Sequence, residues 1–163
     1  MAPPRCSACR KQFVRRARRK GVLEVCLSLF FVYPFRCQLC GQRFLGLEWG
    51  YRYVKEPPDA RRYDRIPVRL PVTFYNERVK GEGILLDLSI KGGVMETDTP
   101  MQKDEVLCLR IPESDPHPPI KIEAAGVRWV SRTRAGLEFL SLDMKAGATL
   151  RSIIENLSAG RSI

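Results

Sequence analysis

Between residues 66 and 74 apolar side chains fall on every second position: Ile66, Val68, Leu70, Val72 and Phe74 alternate with Pro67, Arg69, Pro71 and Thr73. A period of two is that of a half-buried strand, and the two prolines, which donate no backbone hydrogen bond, predict an edge or an irregular start. Further short apolar stretches follow at about 79–89, 93–99, 104–112, 119–131 and 135–142, separated by clusters of Gly, Asn, Asp or Pro. That spacing predicts a small antiparallel barrel or sandwich. The period then changes. Leu150, Ile153, Ile154 and Leu157 form the i, i+3, i+4, i+7 stripe of a helix, with Asp143 upstream as its cap.

The pattern before residue 60 is different. Val22 to Phe35 is a nearly continuous apolar run of 14 residues, preceded by Arg15, Arg16, Arg18, Arg19 and Lys20. It is too short to span a bilayer, which needs about 20 residues. A signal peptide is opposed by the lack of a small-residue cleavage site after the run. Two readings remain: a helix packed within a small module, its basic cluster forming a solvated start, or an amphipathic segment lying on an anionic membrane surface. Lys55-Glu56-Pro57-Pro58-Asp59-Ala60 is polar and stiffened by its Pro-Pro step, as expected of a short linker. The expected organisation is a module at 1–50, a linker at 51–60 and a β domain at 61–163.

Charge follows the same division. Of the net +10, residues 1–60 hold 12 Lys/Arg against 4 Asp/Glu, and residues 61–163 hold 16 against 14.

Two CxxC pairs lie in the N-terminal part, Cys6-Ser7-Ala8-Cys9 and Cys37-Gln38-Leu39-Cys40, the second followed by Gly41. Four thiolates so spaced are the ligand set of a closed tetrahedral zinc site, and each CxxC suits a tight turn whose amides face the sulfurs. About 50 residues bury too little apolar area to fold unaided, so structural zinc is the expected staple. The region as a whole is similar to small zinc-ribbon-like bacterial modules. Cys26 and Cys108 lie in apolar runs and read as small buried hydrophobes.

Two short stretches carry the main functional signal: Arg61-Arg62-Tyr63-Asp64-Arg65 and Asp87-Leu88-Ser89-Ile90-Lys91-Gly92. Guanidiniums at 61, 62 and 65 suit bidentate bonding to phosphate or to the O6/N7 edge of guanine. A carboxylate at 87 can accept from the N1 and N2 donors of guanine, a hydroxyl at 89 can bond either edge or a phosphate, and glycine at 92 admits close approach. The bland alternative is a solvated arginine run and an ordinary strand exit. In this order and at this separation the pair resembles the RxxxR and [D/N]xSxxG signature of the PilZ domain family, over roughly residues 60 to 158. The resemblance implies a six-stranded barrel with a terminal helix and the binding of the bacterial messenger cyclic di-GMP. It places the arginine pair on Arg61 and Arg65 and the second motif on Asp87, Ser89 and Gly92.

The expected fold is thus mainly β: a six-stranded antiparallel PilZ-like barrel with a C-terminal helix, plus a zinc-ribbon-like module. The expected function is a cytoplasmic cyclic di-GMP receptor in which ligand orders the Arg61–Arg65 arm onto the barrel and repositions the zinc module toward a partner protein. A nucleic-acid-binding zinc protein using Arg15 to Lys20 is the alternative, although that run holds no aromatic residue for base stacking. An enzyme is not expected. His117, the single histidine, lies among prolines, and neither a Walker loop nor a GxSxG motif is present.

Overall fold

The computed structural model describes residues 4–50, 63–112 and 119–159. Arg61, Arg62, the expected linker at 51–60 and His117 lie outside the described residues. The chain divides into two compact units, Met1–Asp64 and Arg65–Ile163.

In the first unit, strands β1 (Val14–Arg16), β2 (Val32–Cys37) and β3 (Arg43–Leu47) form an antiparallel sheet with β2 in the centre. Helix α1 (Gly21–Leu29) joins β1 to β2. The apolar run at 22–35 is therefore split. Phe31, at φ +61°, takes a left-handed conformation that ends the helix, and the chain continues as β2. Tyr33, Phe35, Cys37 and Leu39 form a small core in which Phe35 stacks on Phe44 at 5.9 Å between centroids.

The second unit is a closed barrel of six antiparallel strands in the order β4-β5-β6-β9-β8-β7. These are β4 (Ile66–Tyr75), β5 (Lys80–Ser89), β6 (Gly92–Glu96), β7 (Val106–Ile111), β8 (Ile120–Ser131) and β9 (Arg134–Leu142). The alternation read in β4 is realised: Ile66, Val72 and Phe74 are buried, while Pro67, Arg69, Pro71 and Thr73 are exposed. Its prolines are accommodated because β4 pairs with β7 only through Thr73–Tyr75, and the β4–β5 register shifts between Pro67 and Leu70. Phe74, Leu85, Leu88, Met95, Leu107 and Ile122 are completely buried, each such side chain contributing roughly 1.5–3 kcal/mol through loss of contact with water.

Helix α2 (Met144–Ala159) closes the second unit. Asp143 caps it, its carboxylate accepting the Ala146 amide at 2.6 Å. Leu150 and Ile154 are buried against the barrel with Ala146, whereas Leu157 at the end of the stripe is exposed.

Candidate functional site

The register of β4 on β5 sets the first part of the site. Ile66 pairs with Leu88 and Pro67 with Asp87. Arg65, two residues before Pro67, shares its face. Its Nη1 donates to Asp87 Oδ1 at 2.9 Å. The same oxygen accepts the Val94 amide from β6 at 2.8 Å, so Asp87 is held both from β6 and from the residue that precedes β4. Among the described residues both bonds fall on Oδ1. The two side chains are partly exposed, at 22% for Arg65 and 24% for Asp87.

Ser89 and Gly92 form the turn from β5 into β6. Ser89 is buried; its hydroxyl donates to the Gly92 carbonyl at 2.9 Å and accepts the Lys91 amide at 3.4 Å. A Cβ on Gly92 would stand 2.1 Å from the Leu137 carbonyl oxygen of β9, and φ there is +156°. The glycine thus serves the close approach of β9, which pairs with it through Glu138.

The middle of the arginine motif belongs to the first unit. Asp64 donates its amide to Gln38 Oε1 at 2.8 Å and pairs through its carboxylate with Arg15. Gln38 is a buried side chain inside the second CxxC, and its Nε2 donates to the Arg36 carbonyl. The Tyr63 hydroxyl lies where a Cβ on Gly41 would come within 2.6 Å of it, and Gly41 has φ +78°. Part of the arm that ligand is expected to order is already held among the described residues: Asp64 by Gln38 and Arg15, Arg65 by Asp87, while Tyr63 lies beside Gly41. Arg15, Gln38 and Gly41 were not legible as those partners, because each is distant in sequence.

The two CxxC turns come together. Sγ of Cys6 lies 3.6 Å from that of Cys40, Sγ of Cys9 lies 3.6 Å from that of Cys37, and all four fall within 4.8 Å of one another. A tetrahedron of Zn–S bonds of about 2.3 Å has sulfurs about 3.8 Å apart, so the donor set fits a zinc ion. Burial raises the Cys6 thiol, but the amides of Cys9 and Ala8 and the neighbouring thiols outweigh it and bring the pKa down to about 7. Burial pushes Cys37 up to about 12, and it also raises Cys40. A bound cation would favour the Cys37 and Cys40 thiolates against the burial that raises them. The remaining cysteines differ from expectation. Cys26 is exposed rather than buried, since α1 turns that side outward, and Cys108 is half-buried.

The basic cluster is largely committed to the first unit. Arg15 pairs with Asp64, Arg16 bonds Glu48 at 2.8 Å and lies over the Tyr33 ring, and Arg19 donates to Ser28.

A family model described as the PilZ domain matches residues 59–156. The chain belongs to the PilZ domain family, whose domains are non-catalytic receptors that bind cyclic di-GMP. Among solved structures it is similar to the PilZ domain of CeSA from a cellulose-synthesizing bacterium, at 16% identity over 58% of this chain and 98% of that one, with a TM-score of 0.47. It is also similar to the Bacillus subtilis inhibitor of motility, MotI/DgrA, at 18% identity over 81% of this chain and 75% of that one, with a TM-score of 0.53. The second likeness supports the fold. No curated protein matches the sequence.

Proposed function

We propose that the protein is a cyclic di-GMP receptor in which Arg61, Arg62 and Arg65 grip the phosphates and guanine edges of the messenger. In this reading Asp87 accepts from guanine through the oxygen not used by Arg65 and Val94, Ser89 fixes the turn and contacts the ligand edge, and Gly92 holds β6 against β9. The observation that carries it is the Arg65–Asp87 pair, which brings the two family motifs to one spot on the barrel. The two singly charged phosphodiesters of the ligand give the arginines phosphate partners and so order the arm. Tyr63 and Asp64 are held by the first unit and Arg65 by the second, so a pull on the arm acts where the units join in sequence. The first unit, stapled by zinc on Cys6, Cys9, Cys37 and Cys40, then moves as the output module toward a partner protein.

The nucleic-acid reading is disfavoured by the internal partners of Arg15, Arg16 and Arg19, which leave only Arg18 and Lys20 of the cluster prominent.

Hydrogen exchange with and without the messenger tests the reading. Protection is expected across 61–65 and 87–94, with altered exchange in 37–41, where Gln38 holds the arm. Unchanged exchange in 61–65 at millimolar messenger would overturn it.

A further inference from the structure

Helix α1 is amphipathic and faces the wrong way for a packed helix. At 100° per residue, Val25, Leu29, Val22, Cys26 and Leu23 fall on one arc of about 160°, with Glu24 and Ser28 on the opposite side. The polar side is the one turned to the body of the unit. The Glu24 carboxylate takes Arg43 of β3 and the Lys20 amide, and the Ser28 hydroxyl takes Arg19. The apolar arc is left to solvent: Val22 is 78% exposed, Leu23 72% and Leu29 76%, and no residue of the helix is buried. Phe30, 72% exposed, extends the arc past the helix end, where Trp49, 62% exposed, packs on Phe31 at 4.6 Å.

We infer that this outward arc docks the protein on an anionic lipid surface. Charge selects that occupant. All three acidic side chains described in the first unit are already paired, Glu24 with Arg43, Glu48 with Arg16 and Asp64 with Arg15. The exposed Arg18 and Lys20 stand at the entrance to the helix, where the nearby Glu24 is already taken up by Arg43. Apolar side chains flanked by cations, with a tryptophan at the rim, are what the headgroup boundary of an anionic bilayer accepts. A second copy fits less well. A helix of this length is about 13 Å long, and its face falls far short of the roughly 800 Å² per partner that a stable protein interface buries. No described helix is long and apolar enough to cross a membrane, so the segment lies on the surface. The inference stands on the first unit alone and does not depend on ligand binding by the barrel.

Sedimentation of the full chain with phosphatidylcholine vesicles, with and without a third of phosphatidylglycerol, tests it in the absence of nucleotide. Binding is expected only to the anionic vesicles and should weaken at high salt. The double substitution Leu23→Asp with Leu29→Asp should lower the affinity at least tenfold, and Arg18→Glu with Lys20→Glu should do the same. Both pairs are exposed, so thermal unfolding and bound zinc should match the parent protein. No binding to anionic vesicles, or binding indifferent to both double variants, would overturn the inference. So would a concentration-dependent dimer that the Leu23/Leu29 variant abolishes.

Discussion

Arg65 Nη1 donates to Asp87 Oδ1 across 2.9 Å, joining the first residue of the barrel unit to the end of β5. An ion pair this exposed adds little to stability, about 0–1 kcal/mol. It instead preorganises the guanidinium beside the turn that holds Ser89. Arg65→Ala should therefore cost about 2 kcal/mol of cyclic di-GMP affinity, roughly thirtyfold, while leaving the barrel folded. Arg61→Ala should cost as much. Asp87→Ala should also weaken binding, and its effect should be less than additive with Arg65→Ala because the two act through one contact. Calorimetric titration of the four variants decides this, and parental affinity in either arginine variant would contradict the site.

Gly92 tests a different link, from backbone to fold. Its α-carbon lies so close to β9 that a methyl group would meet the Leu137 carbonyl at 2.1 Å. Gly92→Ala should part β6 from β9 and cost about 2 kcal/mol or more of stability by urea unfolding, with ligand affinity falling as a consequence. A variant as stable as the parent would mean that the turn relaxes without cost.

Removal of metal should act on one unit only. With a chelator, amide exchange should become fast across 4–50, whereas β4 to β9 keep their protection, because the barrel has its own buried core. Loss of both units in one transition would contradict this. Metal affinity should fall on acidification. Thiolates are the ligands, Cys6 ionises at about 7 and Cys37 is pushed to about 12 by burial, so protons compete with the metal as pH drops. Metal retained per chain across a pH series measures the effect.

The inverted seating of α1 depends on Glu24. Burial alone would raise its pKa, but the Lys20 amide and the Arg43 guanidinium prevail and hold it below its usual 4.5. A carboxylate with a depressed folded pKa stabilises above its unfolded value and loses that contribution as pH falls through the folded one. The helix should thus stay seated at neutral pH and loosen below about pH 4.5. Glu24→Gln should loosen it at every pH. Protection factors across 21–29, corrected for the intrinsic pH dependence of amide exchange, report both, and a protection factor in the parent that does not change with pH would refute the role.

Much of this was legible in the chain. The alternation at Ile66 to Phe74 gives β4 and its buried face, the later apolar stretches give the other five strands, and Asp143 marks the start of α2. The cysteine spacing gives the four thiols that the fold brings together. What periodicity could not give is direction. It locates the apolar arc of α1, but only the bonds of Glu24 to Arg43 and of Ser28 to Arg19 decide that the arc faces out. For the same reason Cys26 reads as buried in the sequence and is exposed in the structure. The grip of Arg15 and Gln38 on Asp64 spans 49 and 26 residues and leaves no local trace.

Calorimetric titration of the intact protein with cyclic di-GMP, with GTP and a short DNA duplex alongside at physiological salt, bears most directly on the receptor. Saturable heat with the messenger alone is the expected result. Silence with the messenger, together with salt-sensitive binding to the duplex, would contradict the account and return function to the basic N-terminal unit.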